Sequence, residues 1–319
     1  MKEFNSIDEQ ISLLESRGMK FRDKELASRF LLRKNYYNTA NVYGKYLVVE
    51  KGSVIFKENS NFDDICAMYD FEKKLRDLAF IMIMTIEANV SSTIAHLFCA
   101  KYKNENAYLE INNFCPTCKN KNLSNWTYML GQISKIISGA EKSYKKNKIK
   151  NSIHHHLVEH GSVPLWVLIN QFTFGNIIAF YRLLDQNLKQ EIAQSFESML
   201  TISYDKKVHL TPSEIQTYLN LISDLRNKIA HDSCLSVYRT PLGQHPKLNE
   251  LNINEYVGEN EQRVKFYDVI LICRFFISKN AHYSLIDDII TEIQKLEDRL
   301  QDKSVMTQLM FDLGFNFYT

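Results

Sequence analysis

Arg226-Asn227-Lys228-Ile229-Ala230-His231 sets a guanidinium and an imidazole on either side of four residues, with a carboxamide directly after the arginine. Those groups match what RNA cleavage asks of a protein. RNA carries its own nucleophile, the 2′-OH, so a protein has to align that oxygen with phosphorus, move a proton and stabilise the charged phosphorane. Histidine exchanges a proton near neutrality, and arginine offers a permanently charged fork for phosphate oxygens. No metal is obligatory in such a reaction, a dimer would supply two of each group, and the 5′-oxygen would leave while the upstream fragment ends in a 2′,3′-cyclic phosphate. As a bare pattern the spacing is weak, because 11 Arg and 9 His give roughly one Arg followed by His after four to six residues by chance. A second such pair, Arg239 and His245, has Pro241 and Gly243 between its members and belongs in a loop. The same residue types also have a structural reading, in which Arg226 pairs with a buried carboxylate and His231 complements a helix C-terminus.

The segment that carries the motif starts at Thr211-Pro212-Ser213-Glu214, a capping residue followed by Pro at N1 and Glu at N3. At about 100° per residue, Ile215, Tyr218, Leu219, Ile222, Leu225 and Ile229 form a buried stripe, and Arg226 falls inside it. A guanidinium there needs an acceptor. Asn227 and His231 fall toward the opposite side. One straight helix therefore cannot easily aim Arg226 and His231 at the same phosphate, and a joint role calls for an altered final turn or a second copy of the helix across a two-fold interface.

Helices also follow from what the rest of the chain lacks. Its 319 residues include 10 Gly and 5 Pro, and neither occurs between Ser53 and Cys115, over 176–211 or over 259–313. A sandwich or barrel of short strands needs turn residues far more often, so the expected fold class is all-α. Hydrophobic residues at 45 % and charged residues at 24 % are those of an ordinary globular protein with a sizeable core. Ser6 and Glu9 carry a capping-box signature for a first helix ending at Gly18, a second helix follows Asp23, and 35–61 reads as a loop with at most a small β-hairpin. A long, mostly buried helix is expected from Asp63 to about Lys103 and another from Ser124 to Lys146. Two or three short helices should fill 164–200, with Pro164 in a first turn, and further helices lie near 261–280, 282–301 and Met306. The N-terminus lacks the apolar core of a signal peptide, and the charge-free run from Leu78 to Ile86 is too short to span a bilayer. A soluble, cytoplasmic chain with reduced cysteines and no membrane partner is expected.

The net charge of +2 hides segregation, since 119–150 carries +7 and the remainder −5. Lys142, Lys145, Lys146, Lys148 and Lys150, interleaved with Tyr144 and preceded by Trp126 and Tyr128, are candidate RNA contacts; a solvated face explains such a run nearly as often. Cys115 and Cys118 have half of a zinc-site spacing without a second pair, and His154, His155 and His156 fall outside the usual ligand windows, so no metal and no cofactor is expected. Those histidines and His160 read as a polar segment that could line an RNA path. Cys234 reads as structural, and Trp166 and the Phe174 region as core anchors.

Arg226-Asn227 and His231 resemble the Arg, polar residue and His that ribonucleases of the HEPN superfamily carry in this arrangement, and the resemblance extends beyond the hexapeptide. Glu9-Gln10-Ile11 to Leu14, Ser16-Arg17-Gly18, Asn35-Tyr36-Tyr37, Tyr69-Asp70-Phe71, Lys74-Leu75-Arg76, Ile86-Glu87 and Val163-Pro164-Leu165-Trp166-Val167 before Phe174-Gly175 resemble, in order, the blocks of bacterial Abi-like (abortive infection) proteins of the AbiD and AbiF type. These belong to the HEPN superfamily, and the resemblance covers about residues 6–280. It implies an all-α HEPN bundle at 63–319 with a basic, cysteine-containing insertion near 104–160, preceded by N-terminal helices and a loop at 1–62. It also implies a metal-independent endoribonuclease of phage defence acting on single-stranded RNA, with Arg226 and His231 as the catalytic pair and Asn227 as the supporting polar residue. A homodimer controlled by a small noncoding RNA or an antitoxin goes with that reading. The alternative is a non-catalytic protein that holds a noncoding RNA through 119–150 and uses the HEPN helices to dimerise. Ser91 and Ser92 stand where relatives often carry an arginine after the Ile-Glu block.

Overall fold

The computed structural model describes residues 4–115, 123–148, 151–205, 208–240 and 263–315. Among them lie thirteen α-helices and several single turns of 3-10 helix, with no strand. The all-α expectation holds, and the hairpin allowed for 35–61 reduces to one isolated bridge between Val48 and Phe56. The chain divides into two compact units. One takes residues 1–82, 225–271 and 280–319, the other 83–224 and 272–279.

The first unit opens with α1 (Ile7–Ser16), α2 (Lys24–Lys34) and α3 (Ala40–Tyr43). The Ser6 and Glu9 side chains each take the other's backbone N–H, and the Asp23 carboxylate takes the N–H groups of Glu25 and Leu26, so orphan donors at both helix starts are satisfied. α4 (Phe62–Lys101) is 40 residues long and gives its first half to this unit. By length and composition it could cross a membrane, with 39 % of its most apolar stretch buried in the protein. Packing explains one face of it, where Ile65, Leu75, Ala79, Ile83, Ile86, Val90, Ile94 and Phe98 are buried, whereas Phe80, Ile81 and Met84 are exposed.

α12 (Lys279–Arg299) and α13 (Val305–Leu313) complete the first unit. The Asp64 carboxylate accepts the N–H groups of Gln301 and Asp302 just past α12. Asp312 on α13 accepts from Lys45 Nζ at 2.8 Å and the Tyr46 hydroxyl at 2.7 Å, with Arg239 at 3.4 Å. Burial works against the Asp312 charge, but those donors outweigh it and hold its carboxyl below the usual range. α13 stops at Gly314, whose φ of +96° suits glycine, and a Cβ there would come within 3.1 Å of Lys265 Cβ and 3.3 Å of Tyr267 Cβ. Gly314→Ala is therefore expected to cost about 1–3 kcal/mol, read as a lowered urea midpoint.

The second unit contains α5 (Leu123–Asn147), α6 (Ser152–His160), α7 (Leu165–Leu168), α8 (Phe174–Leu183), α9 (Gln186–Tyr204) and most of α10 (Pro212–Ala230). Phe98, Phe114, Trp126 and Phe180 form its aromatic centre, with ring centroids 4.9–5.6 Å apart. Three expectations are corrected here. Pro164 is the residue before α7 rather than in its first turn, because its ψ of 152° is extended. The 164–200 region is not made only of short helices, since α9 runs for 19 residues. Trp166 is 55 % exposed, unlike Phe174 at 2 %; on the single turn of α7, Leu165, Val167 and Leu168 take the inward positions and leave 166 facing out.

Candidate active site

α10 starts as its sequence requires. The N–H and hydroxyl of Thr211 both donate to the Glu214 carboxylate at 2.7 Å, and the Glu214 N–H returns to the Thr211 hydroxyl at 3.2 Å. Ile215, Tyr218, Leu219, Ile222 and Leu225 are buried along one stripe. Arg226 is half-buried, and Asn227 and His231 are exposed.

The other end of α10 determines what the motif can do. The His231 N–H still bonds to the Asn227 carbonyl at 3.2 Å, so His231 keeps a helical position. Asp232 then turns left-handed with φ of +52°. Its N–H meets the Ile229 carbonyl at 3.0 Å, and the Ser233 N–H returns to the Lys228 carbonyl at 3.0 Å. This pair of bonds is the Schellman closure of a helix. The backbone thus departs from the helix one residue too late to swing His231 toward the Arg226 side.

Sequence reading missed the clamp on the residues just after His231. Arg76 on α4 places Nη2 2.8 Å from Asp232 Oδ1, the Tyr69 hydroxyl donates to Asp232 Oδ2 at 3.0 Å, and the Arg76 guanidinium lies 5.5 Å from the centre of the Tyr69 ring. Glu72, wholly buried, accepts the Leu235 N–H at 2.5 Å and the Ser236 N–H at 3.1 Å. Arg76 Nη1 reaches the Ser233 carbonyl at 3.4 Å and lies 3.9 Å from Glu72. Burial pushes the Glu72 carboxyl up, and the polar groups of Ser236, Leu235 and Arg76 pull it back without cancelling the shift. Burial and the Asp232 charge raise the Tyr69 hydroxyl to about 12. The Cys234 thiol donates to the Asn38 carbonyl at 3.3 Å, and burial lifts it to about 11, which suits a structural role better than a nucleophilic one. A signal for the clamp was present, since positions 69, 72 and 76 share the helix face on which Ile65, Ala79, Ile83 and Ile86 are buried.

Lys142, Lys145 and Lys146 are exposed on α5, and Lys148 is exposed just beyond it. The Lys148 ammonium sits 5.4 Å from the Tyr144 ring centre, and that ring stacks on His154 at 3.7 Å. Lys150 and Cys118 lie outside the described residues. These lysines belong to the second unit, whereas Arg226, Asn227 and His231 belong to the first. Among the described residues no group of three or more His, Cys, Asp or Glu side chains is arranged to hold a metal ion.

No curated protein and no solved structure matches the chain. A family model described as Abi-like protein does match, over residues 29–236. It begins within α2, takes in Tyr69, Glu72 and Arg76, passes through the Arg226–His231 motif and stops at Ser236, the last N–H that Glu72 holds. With more than half of its length matched, the chain belongs to the Abi-like protein family.

Proposed function

We propose that the protein is a metal-independent HEPN endoribonuclease of phage defence that cuts single-stranded RNA by attack of the 2′-OH. Arg226 contributes the cationic fork, His231 the proton transfer and Asn227 a supporting hydrogen bond. Membership in the Abi-like family supports a role in abortive infection. The observation that carries the chemistry is an exposed histidine at a closed helix end, with α4 clamping the residues that follow it. Arg226 turns inward on the same helix, so a homodimer that opposes two copies of α10 supplies the complete pair. Control by a noncoding RNA or an antitoxin, and a cytoplasmic location, complete this reading. The purified protein, given labelled single-stranded RNA in EDTA, should produce fragments ending in 2′,3′-cyclic phosphate. Cleavage that requires a divalent metal, or fragments with 3′-hydroxyl ends, would overturn the mechanism.

The exposed lysines of α5 favour a second reading, a non-catalytic protein that holds a noncoding RNA. This reading needs RNA to meet these lysines. Replacing Lys142, Lys145, Lys146 and Lys148 together by Ala should weaken RNA binding and flatten its salt dependence, the logarithmic slope falling by roughly 0.7 for each phosphate no longer neutralised. Unchanged binding at low salt would remove this segment from the RNA interface.

A further inference from the structure

The second unit has a groove of about 700 Å³ that uses neither Arg226 nor His231. On one side α4 presents Ala88, Ser91, Ser92 and Ala95, small side chains that leave a flat wall close to the helix. Facing the groove from α7 is Trp166, with 55 % of its surface exposed. Lys103 and His96 also line it, and among the described residues no carboxylate does. The His156 ring meets the Trp166 indole edge-on at 5.4 Å, and His160 lies 5.2 Å from His156.

The backbone that carries this indole is tied down on both sides. The Leu165 and Trp166 N–H groups face the Cys99 thiol, the Tyr108 hydroxyl donates to the Val163 carbonyl at 2.8 Å, and the Asn170 amide donates to the Trp166 carbonyl at 3.0 Å. A large aromatic surface kept in water on a fixed support is available for stacking. The surroundings continue in the same chemistry. α6 packs against both α5 and α7, so the exposed lysines of α5, the imidazoles of α6 and Trp166 follow one another across three neighbouring helices.

We propose that this groove binds a nucleotide unit, with the base stacked on Trp166 and the phosphate met by Lys103 and the neighbouring imidazoles. Stacking on an aromatic platform accepts any base, and ammonium and imidazole N–H groups donate to phosphate oxygens. An acidic peptide satisfies the cations but leaves the indole without a flat partner. The same chemistry serves a free nucleotide or one residue of an RNA strand, and the site requires no cleavage.

The chain has two tryptophans, and Trp126 is 5 % exposed, so Trp126→Phe leaves Trp166 as the reporting indole. In a Trp126→Phe, His231→Ala protein, which keeps RNA intact, Trp166 emission should be quenched saturably by AMP or by a 12-residue oligouridine. Binding of the oligouridine at tenfold lower concentration or better identifies a strand as the occupant, and equal or tighter binding of AMP identifies a free nucleotide. Trp166→Ala should weaken binding of the labelled oligouridine or AMP on the order of tenfold, with helix content unchanged by circular dichroism. Flat emission with both ligands overturns the proposal, as does equal quenching by oligoglutamate of the same length, or ligand binding that Trp166→Ala leaves unchanged.

Discussion

His231→Ala is expected to slow RNA cleavage by about 10²–10⁴-fold while leaving the unfolding midpoint close to that of the parent. The side chain is exposed, and its backbone N–H bond to Asn227 survives in alanine. A histidine that only complements the helix C-terminus behaves in the opposite way, costing about 0.3–1 kcal/mol of stability that salt screens away, with no effect on turnover. Measuring both quantities on one preparation separates the two roles. Arg226→Lys adds a geometric test, because it keeps a positive charge and loses the planar fork, so activity should fall well below that of the parent. Pairing between copies can be read directly. Arg226→Ala and His231→Ala chains should each be silent alone. Co-expressed, random pairing makes half of the dimers mixed, each with one intact cross-subunit pair, so about a quarter of the parental activity should return. No recovery would overturn the cross-subunit site.

Much of the architecture was legible because it rests on local chemistry. The Ser6–Glu9 and Thr211–Glu214 capping boxes, the Asp23 cap and the absence of breakers through α4 each act within a few residues, and the structure has helices at all of them. The stripe on α10 was equally plain, although Arg226, placed inside it, is half-buried. What stayed hidden depends on pairing across the sequence. Glu72 reads as one more surface acid until Leu235 and Ser236, more than 160 positions later, bring it their N–H groups. Trp166 failed for a related reason. A hydrophobic block predicts burial for all its members, but a one-turn helix can bury only part of its circumference, and the position turned outward is set by tertiary packing. The left-handed Asp232 after His231 could not be anticipated from a bare Arg–His spacing, because the residue that closes a helix is usually glycine.

The second large effect is expected at the clamp. Glu72→Ala should destabilise the protein by about 3–5 kcal/mol, seen as a lower denaturation midpoint. It removes the acceptor for two backbone N–H groups on buried residues and takes one of two carboxylate partners from Arg76, whose side chain is 4 % exposed. Each unsatisfied buried N–H alone costs about 1–3 kcal/mol. Glu72→Gln keeps one acceptor oxygen and nearly the same volume, so it should fall between the parent and the alanine variant. Arg76→Ala should resemble Glu72→Ala, because it strands the wholly buried Glu72 and releases Asp232 from its ion pair. If the two act as one device, the double variant should cost less than the sum of the singles, the coupling expected of residues that share partners. Additive costs would mean that Glu72 and Arg76 hold the 232–236 segment independently. Under the proposed function the clamp would also bear on catalysis, since Asp232 follows His231 directly. At temperatures where the variants remain folded, loosening this segment should lower cleavage even though neither α4 residue touches RNA. Full activity in a folded Glu72→Gln protein with a lowered midpoint would limit the clamp to stability.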